Sequence, residues 1–461
     1  MPLEGVLGRI LSVDLSKGLI GEERLPDGWY RDALGGLGVG MKYLLEDVRS
    51  KKPLLDDPII VMTGPLTGNP LPGTSKASLI SYRRDTRQLR LSTLEGRFPA
   101  YLKLAGFDGL VITGKAKEPV SLHLSQNHSK ILDASPLWGK EVLTLDGDWK
   151  GNGDEGSILT IGPAGENGNP YANVISDRWV HGGAGMGRDF GLKRLKLVFV
   201  EPDSELRRSS DERGIPSWMI SYLQEHLKEN NSDEIRRSCF GCVKCCGRYD
   251  FQDDLFFLEE DIEKLQTLVP QWTREYLRHY YRGCLNKGLD PWGTAGPIVR
   301  MGTGKDISET LERFIGQPRI GQQGDCIDTQ SWEEAHLSLQ GWYRDGIFEN
   351  VWTVPELVER ENWAVVKNCI PVCERWKMSP EEMVFFLNQV TGSDYSQEDL
   401  LNIGETLTHE VMNLYHSLGY LSIDPQGIRF CGHHFPSFFG AVIGDYLAHR
   451  KWEKTGFPEK S

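Results

Sequence analysis

The chain has 461 residues, nine of them cysteine, and 52 Lys and Arg against 65 Asp and Glu leave a net charge of −13. That length suits roughly two or three domains, each with its own core, and the acidic balance disfavours nucleic acid and anionic membranes as partners. Clustered cysteines, no leader-like segment at Met1-Pro2-Leu3-Glu4-Gly5 and no long uncharged apolar run point to a reduced cytoplasmic setting without membrane insertion, where cysteines act as ligands or core thiols.

From Val6 to about Val200 the pattern is one of short β-rich segments broken by glycine. Strands are predicted at Gly8–Leu15, Ile59–Met62, Gly109–Thr113 and Leu195–Val200. Four glycine-rich segments lie among them: 34–40, 64–73, 162–168 and 181–187. Glycine lets backbone N–H groups approach a phosphate or a flat heterocycle, so four such segments in one domain are consistent with a large polar cofactor as well as with turns. None is a Walker loop or a dinucleotide fingerprint.

The polar stretch Glu201–Arg213 marks a boundary, giving a β-rich domain at 1–208 and a mostly helical region at 209–461, an α+β organisation. Residues 215–420 carry helical periodicity and caps. Ser379-Pro-Glu-Glu382 is a capping box with proline at the first helical position, and Ser396-Gln-Glu-Asp399 precedes Leu400 in the same way.

The strongest chemical signal opens the second region. Cys239-Phe-Gly-Cys242-Val-Lys-Cys245-Cys246 supplies three thiolates from one turn of backbone, and Cys373, in a loop before a helix, is available as a fourth. Four converging thiolates hold a 4Fe-4S cluster. Zinc is the competing reading of the same spacing. Cys245 and Cys246 compete for the third position, and Gly247 favours Cys246 by freeing the backbone to wrap a ligand. Cys431, His433 and His434 form a further metal-like group that lacks a fourth ligand.

Several ordered stretches, Gly8–Leu15, Gly64–Gly68, Leu102–Gly109, Asp133–Lys140, Ile161–Asn167 and Cys239–Arg248, resemble the tungsten-containing aldehyde:ferredoxin oxidoreductase family. The resemblance implies a first domain of paired β-sheets that cradles tungsten (or molybdenum) on two pterins with magnesium, helical domains behind it, and a nearby 4Fe-4S cluster. It implies oxidation of an aldehyde or related small oxo substrate, with electrons leaving to ferredoxin or a cluster-bearing redox subunit, in homodimers or hetero-complexes. Carried onto this chain, the cluster ligands are Cys239, Cys242, Cys246 and Cys373, with Cys369 the alternative to the last.

The pterin-side positions fall on Lys76, Thr93, Gly182, Gly183, Asp290 and Asn368. Four of these depart from the family pattern. Lysine replaces arginine at 76, which keeps the charge but not the forked donor geometry. Threonine replaces asparagine at 93, glycine replaces arginine at 183, and asparagine replaces an acid at 368. The chain is also shorter than the family norm around 248–280 and 317–332, the regions that carry the family's catalytic glutamate and histidine; Glu260 and His434 are the remaining candidates, each with a plain surface or turn reading beside it. Kept cysteines with altered pterin contacts also fit a non-catalytic electron-transfer or scaffold subunit that has lost the tungsten site.

Overall fold

A computed structural model describes residues 5–50, 56–69, 71–83, 88–145, 156–177, 180–182, 185–203, 239, 248–250, 255–257, 259–301, 307–315, 353–373, 376, 378–417 and 439–452. The division at 208/209 lies outside them.

Two six-stranded sheets form the first domain. The first runs in the order β2 (Leu19–Arg24), β1 (Arg9–Asp14), β6 (Gly109–Thr113), β3 (Ile59–Thr63), β4 (Ala77–Arg83), β5 (Gln88–Leu94). Its β1–β6 pair is parallel and the rest are antiparallel. The second runs β11 (Val180–Gly182), β10 (Val174–Ser176), β9 (Ser157–Ile161), β12 (Leu195–Val200), β7 (Val120–Leu124), β8 (Lys130–Asp133), with only β12–β7 parallel. All four strands expected from the sequence are present.

Period-two alternation divides the first sheet between two cores. Leu11, Val13, Val61, Leu79, Leu110 and Ile112 face the core shared with the second sheet and with α3 (Phe98–Leu104). Ile10, Ile60, Met62, Ile80 and Val111 face the other way, onto α2 (Gly36–Arg49) and α10 (Val354–Cys369). Burial on both faces is why these strands read as continuous apolar runs rather than as alternating ones.

The helices fall into two groups, each docked on the first domain. The group α6 (Glu259–Leu268), α7 (Arg274–Lys287), α8 (Pro291–Met301) and α9 (Ile307–Ile315) shares a core with Ala164, Tyr171, Ala172 and Ile175. The group α10, α11 (Pro380–Thr391), α12 (Gln397–Ser417) and α13 (Phe439–Arg450) closes the far face of the first sheet. The two predicted caps form: Ser379 and Glu382 exchange a reciprocal pair of hydrogen bonds, as do Ser396 and Asp399. A third capping box, Thr353 with Glu356, starts α10.

The first glycine-rich segment is helical rather than a turn: Gly36 begins α2, and the helix passes so close to the α10 terminus that no side chain is tolerated there. The second region is mostly helical, as expected, and also holds a short antiparallel pair, Arg248–Asp250 with Leu255–Phe257. Among the described residues no helix is long and apolar enough to cross a membrane.

Candidate cofactor site

The C-terminal end of α10 reaches the first domain through contacts that only glycine permits. A Cβ on Gly64 would lie 2.8 Å from the Ile370 carbonyl carbon, one on Gly35 3.1 Å from the Cys369 oxygen, and one on Gly36 2.7 Å from Pro371 Cγ. Ser78 Oγ donates to the Asn368 carbonyl at 3.1 Å. Two residues past Pro371, the Cys373 N–H donates to Gly73 O at 2.7 Å.

Gly73 leads directly to Lys76, whose side chain is 1% exposed. Its Nζ lies 3.6 Å from Glu95 Oε1, and Thr67 Oγ1 donates to the Lys76 carbonyl at 2.9 Å. Thr93 is buried and sits opposite Ser78 in the β4–β5 register. The fold therefore brings Lys76 and Thr93 to one dock with Asn368 and Cys373, which lie more than two hundred residues further along the chain. The Asn368 side chain is anchored by its nitrogen: Nδ2 donates back to Ala364 O at 3.0 Å within its own helix.

The second dock holds Asp290. Gly288 caps α7 in the left-handed region at φ 69°, and a Cβ on Gly162 would stand 2.5 Å from the Lys287 carbonyl carbon. Asn173 N–H donates to Gly288 O at 2.8 Å, Leu289 bridges Ala172, and Asp290 N–H donates to Tyr171 O at 2.9 Å. Thr294 Oγ1 donates to the Asp290 carbonyl at 2.6 Å, and Tyr280 OH donates to Pro291 O at 2.8 Å. Asp290 is thus a buried side chain on a turn held from both sides, not a solvated turn aspartate.

Between the docks, β5 and β11 lie edge to edge. Arg90 Nη1 donates to both Asp189 oxygens at 3.0 and 3.1 Å, and Ser81 Oγ donates to the same carboxylate. This clasp ties the first sheet to α5 (Met186–Leu192), the helix that follows the fourth glycine segment. Gly182 ends β11; Gly183 lies outside the described residues.

Of the cysteines, Cys239 and Cys373 are half-buried, whereas Cys369 and Cys284 are fully buried. Burial pushes both buried thiols up to about 12. Cys242, Cys245, Cys246, Cys431, His433 and His434 lie outside the described residues, and Glu260 is placed only by its backbone in α6. Among the described residues no three His, Cys, Asp or Glu side chains gather as a metal site.

The donor set suits the implied groups. The half-buried Cys373 is bonded through its N–H to the segment that leads to a buried cation, Lys76, and two buried side-chain oxygens, Asn173 Oδ1 and Ser176 Oγ, have no hydrogen-bond partner among the described residues. Sequence reasoning missed Asn173, Ser176, Glu95 and the Arg90–Asp189 clasp. Only the acid at Glu95, two residues from Thr93, carried a local signal. It also weighed the glycines between turns and a cofactor, while Gly35, Gly36, Gly64 and Gly162 serve packing of the helical groups.

Residues 10–202 match the aldehyde ferredoxin oxidoreductase N-terminal domain family. Among relatives, the tungsten-containing aldehyde ferredoxin oxidoreductase of Thermococcus kodakarensis is 33% identical over 202 residues, 43% of this chain and 33% of that protein. Its counterpart in Pyrococcus horikoshii is 35% identical over 201 residues, 42% and 33% of the two chains. The WOR-like subunit of an aliphatic sulfonate oxidoreductase from Pyrococcus furiosus is 30% identical over 239 residues, 47% and 38%. The matched stretch thus spans about a third of the length of these relatives. In fold, the chain is similar to the active-site complex BamBC of benzoyl coenzyme A reductase, solved with 1,5-dienoyl-CoA, with a TM-score of 0.75 at 17% identity over 99% of this chain and 96% of that one.

Proposed function

The N-terminal domain belongs to the aldehyde ferredoxin oxidoreductase family, and from that premise we propose that the chain is an oxidoreductase dependent on a tungsten or molybdenum bis-pterin. Its substrate class is an aldehyde or related oxo compound, and its electrons pass through a 4Fe-4S cluster to ferredoxin or a cluster-bearing partner subunit. The observation that carries this reading is the convergence of Cys373, Lys76, Thr93 and Asn368 at one dock with Asp290 at the other, both on the matched domain.

When bound, the metal and its pterins supply the oxygen-transfer and two-electron chemistry. The chain's own residues bind and tune. Cys239, Cys242, Cys246 and Cys373 are the cluster ligands, and the burial of Cys369 in an apolar core supports Cys373 over it. Lys76 holds a buried positive charge beside that ligand, offset by Glu95, and so stabilises added negative charge there. Asp290 would hold the pterin ring, and Gly182 and Gly183, with magnesium, would hold its phosphates. Glu260 and His434 are the acid–base candidates, and the division at 208 separates the pterin domain from the cluster-bearing helices.

The test is anaerobic reduction of a viologen dye by a panel of aldehydes, using protein from a tungsten-supplied host able to assemble the cofactor. Aldehyde-dependent reduction that collapses in Lys76→Met is expected. Protein that carries iron but reduces no dye with any aldehyde would favour the electron-transfer subunit instead.

A further inference from the structure

The turn that carries Cys373 also carries Trp376, a large aromatic side chain held half-buried at the edge of the core that α10–α13 share with the first sheet. Trp376 N–H donates to Cys373 O at 3.0 Å. A hydrogen bond between residues three apart lines up their side chains on one side of the turn, as in a 3₁₀ helix. Gly73 reports the same alignment from the facing wall. The three heavy atoms nearest to a Cβ built on it are Trp376 Cβ at 3.1 Å, Trp376 Cγ at 3.4 Å and Cys373 Cβ at 3.5 Å.

Gly73 sits at φ 77° and is buried although it has no side chain of its own; the Trp376 and Cys373 side chains are what cover it. Every residue from Leu71 to Ile80, Lys76 included, is buried behind them, whereas Trp376 and Cys373 are each half-buried. Ring and thiol therefore share one boundary between the 71–80 segment and solvent, and the indole is the larger and more apolar part of it.

We propose that Trp376 screens the 4Fe-4S cluster from water on the side of Cys373 and so holds its reduction potential down, an inference that rests on the cluster reading above. Reduction adds one negative charge to a cluster already bound by thiolates, and water beside it stabilises that charge. An apolar ring in the place of water withholds this stabilisation. Trp376 is a positioning residue: it is no ligand, and it acts on the cluster through the solvent it excludes.

The experiment compares the full-length wild type with Trp376→Phe and Trp376→Gln, all purified without air from a host that assembles the cluster. Iron per chain, Tm, the reduction potential from a dye-mediated titration, and the rate at which the visible absorbance bleaches in air are measured on each. Trp376→Phe keeps an apolar ring and should hold wild-type iron, potential and bleaching rate. Trp376→Gln, which brings a polar, hydrated group, should keep wild-type iron while its potential rises and its bleaching in air becomes severalfold faster. Arg450→Met is the control for stability, because it loosens the same core midway along α10, where Arg450 bonds Glu361 and Asn362; its Tm should fall with no change in potential. A Trp376→Gln protein with wild-type potential and bleaching rate would overturn the screening role and leave the cluster reading standing. An equal shift in Arg450→Met, or iron lost without air from either Trp376 variant, would also overturn it and make the ring a packing residue. Wild type that holds zinc or no iron would overturn the cluster reading itself.

Discussion

Gly64→Ala isolates the dock that carries Cys373. The backbone at Gly64 needs no positive φ, so the substitution adds only a methyl group, set 2.8 Å from the Ile370 carbonyl carbon and 2.9 Å from its oxygen, both main-chain atoms. Pro371 Cδ is nearer still at 2.3 Å, so restoring an ordinary contact of about 3.4 Å requires the 370–371 segment to retreat by about 1.1 Å. Overpacking of this kind costs about 1–3 kcal/mol, or a Tm fall of about 2–4 °C per kcal/mol for a domain of this size. The same retreat pulls on Cys373, whose N–H is bonded to Gly73 O. Gly168→Ala is the control, with φ 69° and nothing near its Cβ; it should cost about 1 kcal/mol of backbone strain and leave iron binding unchanged. Calorimetry with iron analysis is the assay. A Gly64→Ala protein with wild-type Tm and full iron would refute the claim that this contact positions the ligand.

Serine at Cys373 should empty the cluster while serine at Cys369 leaves iron in place, and likewise Cys246→Ser should lose iron where Cys245→Ser does not; iron per chain reads all four. Lys193, whose Nζ donates to Gly114 O at 2.8 Å and Asp56 O at 3.2 Å, is pushed down to about 8 by burial from 10.5. Its folded pKa lies below its unfolded one, so the unfolded chain binds more protons between about pH 8 and 10.5. Stability should therefore rise with pH across that window by up to about 3 kcal/mol, and urea unfolding should show the rise vanish in Lys193→Met. Arg450 is fully buried against Glu361 at 2.7 Å, with Tyr446 OH donating to the same carboxylate at 2.6 Å. Arg450→Met alone should cost about 3–5 kcal/mol by stranding Glu361, and Arg450→Met with Glu361→Leu should recover most of it, as measured by denaturant midpoint.

Much of the fold was legible where its signals are local. Strands buried on both faces appear as runs such as Ile59–Met62, and the caps at Ser379 and Ser396 depend on residues three apart. The resemblance is likewise carried by short ordered stretches, and it aligned Lys76 and Cys373 with the family pattern. The structure then links their segments through a single backbone hydrogen bond.

What escaped depends on distance along the chain. Nothing in the glycines of 34–40 or 162–168 reveals that they face Asn368–Pro371 and Lys287–Gly288, because the reason for each lies more than a hundred residues away. Glycine there looks the same whether it admits a ligand or another backbone. Asn173 was invisible for the same reason: an amide shows itself as unsatisfied only when all its neighbours are in place. The hairpin at Arg248–Phe257 was hidden by its brevity, three residues a strand, inside a region dominated by helical periodicity.

The measurement that bears most directly on the central claim is elemental analysis of the anaerobically purified full chain for iron, zinc, tungsten and molybdenum, with released pterin assayed on the same sample. The account predicts about four iron per chain with about one tungsten or molybdenum and its pterin. Zinc in place of iron, or iron without any pterin from a host proven to load it, would contradict it.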